Sequence, residues 1–284
     1  MKTNAILPLA SVALLVHLGT GCGGPPCPVY PHTDAGRALE LHRETRRHVR
    51  SLRAEARVDQ RGKEGRIRGT VFMFVELPDR VRFDAMTQFG PAAILTSDGE
   101  RFALTDLREN RYSYGPTCPS NIARLLGIPL SGAEVSRLLL GDTPRIDARR
   151  RTIRCEGGAY VVTLEGRDGR RQEIELAVRE ADRELPPDQQ HLRLVRSQVH
   201  APDGSTEWKV RFSEHRLVRD PMADGEGGEG YSVAMPYEIH FVHPRHGADV
   251  VVKLEELDLN VDPPADAFEQ AARPGIPAEY VPCD

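Results

Sequence analysis

"RIRGTVFMFVELPDRVRFDAMTQFG", residues 66–90, decides the fold, because its apolar residues recur with a period of two rather than 3.6. Ile67, Val71, Met73 and Val75 share one parity, and Phe72 and Phe74 share the other. Pro78-Asp79 then turns the chain into Val81, Phe83 and Ala85. Both parities are apolar in the middle of the first strand, so each of its faces is expected to be at least partly covered. The pattern repeats through "AAILTSDGERFALTDLRENRYSYG", where Asp98-Gly99 marks a hairpin and Asn110 lies in a second turn. This half of the chain reads as an antiparallel meander.

Working outward, Asp34 is placed to cap a helix that runs to somewhere between Val49 and Ala56, with Ala38, Leu41, Val49 and Leu52 as its apolar stripe. After the meander come two short helices. "PSNIARLLG" has Ser120 or Asn121 as its cap, and "SGAEVSRLLLG" has a capping box of Ser131 and Glu134 with Gly141 at the left-handed C-terminal position. Strands resume at Thr152 and turn at Asp168-Gly169, Asp203-Gly204 and His246-Gly247. A last short helix is expected in "PADAFEQAARPG". The order is helix, about four strands, two short helices and about six more strands. It predicts a mainly β (α+β) fold, a strongly curved antiparallel half-barrel sheet whose concave face is covered by short helices. No repeat of solenoid or propeller length is present.

The N-terminus predicts export. Residues 1–21 pass from Lys2 through the apolar run Ala5–Leu18 to small residues, the layout of a signal peptide. Leu18-Gly19-Thr20-Gly21-Cys22 resembles the lipobox of bacterial lipoproteins, which implies acylation of Cys22; the alternative is a plain secreted protein. The expected organisation is signal peptide 1–21, lipidated tether 22–33 and one domain over 34–284. Nothing else approaches the ~18 apolar residues that a membrane span needs. A net charge of −4 spread over many charges of both signs argues against a nucleic-acid surface. Arg46-Arg47 and Arg149-Arg150-Arg151 read as solvated faces. Cys27, Cys118, Cys155 and Cys283 form an even set suited to two disulfides, with three pairings open.

Catalytic signatures are missing: there is no G-x-S-x-G elbow, H-E-x-x-H or Walker loop. His240, His243 and His246 are three apart, which on a strand puts the first two on opposite faces, so they read as surface histidines of a hairpin end and not as a metal site. "DPMADGEGGEG" reads as an acidic loop, Trp208 as core, and Glu255-Glu256 as strand-edge charge. Neither a cofactor nor a metal is expected.

The phrases "VELPDRVRFDAMTQFGPAAILTSDGERFALTD", "NIARLLGIPLSGAEVSRLLLGD" and "LDLNVDPPADAFE", in this order, resemble the LolA/LolB lipoprotein-carrier superfamily over most of the mature chain. That resemblance implies a half-open barrel and helical lid around a hydrophobic cavity for acyl chains. Its lining would come from Val71, Met73, Phe83, Ile94 and Leu104 on strands, and from Ile122, Leu125, Val135 and Leu138 on the lid. In the LolB branch an exposed leucine precedes a glycine on a loop of this region. Phe89-Gly90 falls there, so Phe89 either projects toward a membrane or folds back onto the sheet. The implied function is that of a non-enzymatic, lipid-anchored, periplasm-facing outer-membrane lipoprotein. Its partners would be acyl chains of lipoproteins or lipids, the membrane and a periplasmic carrier protein. The alternative is an accessory lipoprotein of an envelope complex with a filled interior. The chain is longer than the classical members and carries extra cysteines, which leaves room for a different cargo.

Overall fold

A computed structural model describes residues 25–62, 65–219 and 232–283. The expected signal peptide, Cys22 and the segment expected to form an acidic loop therefore lie outside the described residues. Helix α1 (Ala35–Glu44) leads into six strands, β1 (Ser51–Gly62), β2 (Gly65–Glu76), β3 (Arg80–Thr87), β4 (Gly90–Ser97), β5 (Arg101–Asp106) and β6 (Arg111–Pro116). Helices α2 (Pro119–Leu126) and α3 (Gly132–Leu139) follow. The second half comprises β7 (Ala148–Glu156), β8 (Ala159–Gly166), β9 (Arg171–Val178), β10 (Leu192–His200), β11 (Thr206–Arg219), β12 (Ser232–His243), β13 (Ala248–Leu259) and β14 (Ala278–Tyr280). They form one curved, open 14-stranded sheet in the order β14-β6-β5-β4-β3-β2-β1-β13-β12-β11-β10-β9-β8-β7. β14 runs parallel to β6, whereas the meander strands and the β1–β13 pair are antiparallel. Between β6, beside one edge, and β7, at the other, the chain crosses the sheet through α2 and α3.

The first strand corrects an expectation. The stretch up to Ala56 is not the end of the first helix but part of β1, which pairs with both β2 and β13 at the middle of the sheet. Leu52, Ala54, Ala56 and Val58 are buried and alternate with Arg53, Glu55, Arg57 and Asp59. That is a strand period written in residues of high helix propensity, and sheet burial overrides the propensity. The helix itself stops at Glu44, with Asp34 capping it by accepting from Gly36 N and Arg37 N.

One face of the sheet holds the core. Leu52 pairs with Val75, Ala54 with Met73 and Ala56 with Val71; Met73 pairs with Phe83 and Phe83 with Leu95. Across β13 and β12 the same face continues as Val252, Val250, Ile239 and Phe241. The helices cover it: α1 packs on β7 and β10, α2 on β4, and α3 on β2 and β3. Trp208 is buried and stacks on Phe241, as core.

The α3 capping box is present, with Ser131 Oγ accepting from Glu134 N and Glu134 Oε2 accepting from Ser131 N, and Gly141 is left-handed at φ 75°. In α2 the capping position is Cys118, not Ser120 or Asn121, and the buried Asn121 amide donates to Pro116 O instead. "PADAFEQAARPG" forms a turn and no helix. Its Ala267 and Phe268 are buried against the outer face, and Gln270 Nε2 donates to Ile94 O, Thr96 Oγ1 and Ala103 O. Anchoring by these side chains takes the place of a helical ladder. The disulfides are Cys27–Cys155, on edge strand β7, and Cys118–Cys283, beside β14.

Phe83 is fully buried at the centre of the inner face. Phe83→Ala is expected to lower unfolding free energy by about 3–5 kcal/mol, measured by urea titration; a loss under about 1 kcal/mol would contradict a tightly packed interior here.

Candidate functional site

The space between the concave face and the helices is the natural place for a site in such an architecture. Met73, Phe83, Ile122, Val135 and Leu138 are at most 1% exposed and Val71 is 5% exposed, so within the described residues this interior is packed shut. Leu104 and Leu125 are half-buried and pack against the same core. Ile94 does not share this face. It pairs with Asp84 and Thr105, which puts it on the outer side beneath Gln270, while Ala93 and Leu95 point inward. Parity in the run Ala92–Leu95 was unreadable because every residue is apolar.

Two cavities touch the helix layer, one at each end. At the first end, a cavity of about 300 Å³ lies between Gln60, Ile67, Ala123, Gly127, Pro129 and Gly247. Ile67 is 66% exposed there, and the β3–β4 turn, at the same end of the sheet, presents Phe89 at 90% exposure. Thr87 Oγ1 accepts from Phe89 N and donates to Gly90 O, and Gly90 has φ 116°, a conformation that excludes most side chains. The turn is thus built to hold the ring out, and Phe89 does not fold back onto the sheet.

At the second end, a cavity of about 620 Å³ lies where α1 and α3 end against the β2–β3 turn. Arg46 is not the solvated charge its sequence context predicts: it is half-buried and donates to Leu140 O after α3, to Ala234 O on β12 and to Met235 Sδ. It joins α1, the helix layer and the far half of the sheet. No local pattern announces such a residue, whose partners lie some 94 and 188 positions away. Beneath it, His42 is buried, with Nδ1 3.2 Å from Leu192 O and Nε2 3.7 Å from Asp142 Oδ1. Burial, which outweighs the attraction of Asp142, pushes His42 down to about 4. For Asp142, burial acts upward, but His42 and Arg145 outweigh it and hold its carboxyl below the usual range.

Of His240, His243 and His246, only the second departs from the expected surface position, and His246 is exposed. His243 lies on the buried face and not at the surface, and its ring meets His246 edge-on at 4.4 Å. His240 pairs instead with Asp249 at 2.8 Å. Among the described residues no group of three or more His, Cys, Asp or Glu is placed to hold a metal. Nor is any described helix long and apolar enough to cross a membrane.

Among solved structures, this one is similar to that of a LolA superfamily protein from Nitrosomonas europaea, at TM-score 0.50 and 12% identity over 84% of this chain and 99% of the other. It is also similar to a DUF1329 family protein from Desulfovibrio piger, at TM-score 0.52 and 12% identity over 83% and 97%. The chain has a LolA/LolB-like fold. At these identities the likeness concerns the fold alone. No protein-family model matches the sequence, and no curated protein matches it. In this LolA/LolB-like fold the expected helical layer and open sheet are present, and the interior beneath the layer is closed.

His42, His215 and His243 all have folded-state pKa values pushed from 6.5 to about 4, with burial the leading cause. Between pH 6.5 and 4 the unfolded chain therefore binds protons that the folded chain refuses, so their contribution to stability is intact above this window and is lost as pH falls through it. The thermal midpoint is expected to drop between neutral pH and pH about 4.5, and His42→Leu is expected to make the drop shallower. Scanning calorimetry across the pH series checks both; a midpoint independent of pH in this window would contradict the assignment.

Proposed function

We propose that this protein is a lipid-anchored, non-enzymatic envelope lipoprotein that takes acyl chains between its sheet and its helix layer, and delivers lipoproteins or lipids to the outer membrane. The observation that supports the reading is the largely apolar concave face covered by the short helices, with α2 and α3 over β2–β4 and Phe89 projecting beside one end of that layer. Lining residues Val71, Met73, Phe83, Leu104, Ile122, Leu125, Val135 and Leu138 become acyl contacts once the layer lifts. Ile94 takes no part.

Transfer by this route needs no ATP and no cofactor. An acyl chain gains about 0.8 kcal/mol for each methylene withdrawn from water, which counts against the cost of parting the helix layer from the sheet. Cargo then moves toward whichever site or bilayer buries it better. Partial burial of Phe89 in a membrane contributes at most about 1.5–3 kcal/mol. That is enough to orient the opening on a lipid surface but small beside an acylated Cys22.

The closed interior supports a second reading, an accessory subunit whose core is simply full. Lipid extraction and mass spectrometry of purified protein carrying Cys22→Ser separate the two. Stoichiometric acyl lipid is expected for the carrier, and no lipid under any expression condition would establish the accessory reading. Phe89→Glu is expected to retain bound lipid yet release it to vesicles at least about tenfold more slowly; unchanged release would remove the loop's role.

A further inference from the structure

The two margins of the sheet are finished differently. At one, β6 is covered by the three-residue β14, and Tyr112 N and Val281 N extend that contact by donating to Pro277 O and Tyr114 O. At the other, β7 ends the strand order and pairs with β8 alone. Among the described residues no backbone group outside β8 bonds to it. In an antiparallel strand with a single neighbour, alternate residues turn their N–H and C=O groups outward, so this margin presents a row of unmade main-chain hydrogen bonds.

Such edges are ordinarily blunted by proline, charge or a bulge. Here the register with β8 shifts once, between Ala148 and Arg150, and from Arg150 to Glu156 it runs without a break or a proline. Cys27 is bonded to Cys155, and the segment beyond Cys27 turns away from the edge, with Val29 N donating to Arg183 O and His32 N to Tyr160 Oη. The free length is therefore Arg150–Arg154, about 17 Å of extended chain.

That length is basic at its side chains and apolar underneath. β7 carries Arg149, Arg150, Arg151 and Arg154 against one acid, Glu156. Arg154 is engaged by Glu156 at 3.2 Å and by Glu173 at 3.9 Å. Arg149, Arg150 and Arg151 are exposed and form no ion pair among the described residues, although Glu165 stands opposite Arg150 in the register. Ile153 and Cys155 are half-buried against the core, so the apolar face of the sheet reaches this margin and stops there. A strand laid alongside would set one row of its side chains beside Ile153 and the alternate row beside Arg150, Thr152 and Arg154. An apolar first row and an acidic second row complement both. A second copy of β7 does not, because it would bring four arginines alongside four.

We infer that the β7 margin binds an extended acidic segment of another protein as an added strand, with main-chain bonds to Arg150–Arg154 supplying affinity and the arginines selecting carboxylates. The surface lies outside the closed interior and does not depend on the acyl-chain reading.

The test titrates the protein with a labelled peptide of about seven residues, alternating glutamate and valine, read by fluorescence anisotropy and by amide hydrogen exchange. Saturable binding is expected, weakening as salt rises from about 0.05 to about 0.5 M, and the amides of residues 150–154 are expected to exchange at least about tenfold more slowly in the complex. The same peptide N-methylated at every amide keeps its charge but cannot pair with an edge, and is expected to bind at least about tenfold more weakly. R149Q/R150Q/R151Q is expected to cost about tenfold in affinity, with the thermal midpoint unchanged because all three side chains are exposed. Absence of binding would mean that the arginines only guard the edge, and equal binding of the N-methylated peptide would mean attraction between charges alone. Either result overturns the inference, as would exchange protection confined to residues other than 150–154 or self-association of the protein through this margin.

Discussion

An open sheet with one apolar face must be covered, and the rest of this structure follows from that requirement. Fourteen strands present a concave surface running from Phe102 through Phe83, Met73 and Leu52 to Phe241 and Tyr160, all essentially withdrawn from water. Leaving such a surface bare would cost about 25 cal/mol for every square ångström. Three helices of ten, eight and eight residues do the covering. Helices this short are not stable alone, so each depends on the sheet as much as the sheet depends on it. Their caps, such as the Ser131–Glu134 box, set where each begins, but packing holds them in place.

The same economy explains the two ends. Where the helices stop, the core stops being sealed, and each opening takes the character of the residues the turns supply. The β3–β4 end exposes the apolar Phe89 and Ile67 beside the polar Arg61 and His246. The opposite end gathers guanidinium groups from residues 43–47 and 137 around the carboxylate of Asp142. The two openings thus differ in their exposed side chains, while the interior between them is mostly hydrocarbon with a few buried polar groups such as Gln172 and Ser197.

Much of this architecture is written locally. Residues 66–90 declare strands because branched and aromatic side chains alternate there, and Asp98-Gly99 and Ser131–Glu134 mark a turn and a cap by chemistry that needs only a few neighbours. β1 was illegible because its inward residues include two alanines flanked by Arg and Glu, all good helix formers, and only pairing on both sides makes it a strand. The inward residue of β4 was hidden by an all-apolar run, and the packing of Phe268 and Gln270 on the outer face has no sequence period at all. The candidate interior was legible as a list of apolar residues but not as a filled volume, since packing density is a property of the assembled whole. The arginine mouth draws on three segments separated by some thirty to sixty residues, and nothing in any one of them foretells the others.

The route of the chain between β6 and β7 bears on how such an interior opens. Residues 117–147 join one margin of the sheet to the opposite margin, much as a string joins the tips of a bow. Both margins are further stapled to the terminal segments through Cys27–Cys155 and Cys118–Cys283. Such a string cannot swing aside on one hinge, because both of its ends are held. It slackens only when the bow bends more and tightens when the bow flattens, which makes the curvature of the strands and the height of the helices above them a single mechanical variable.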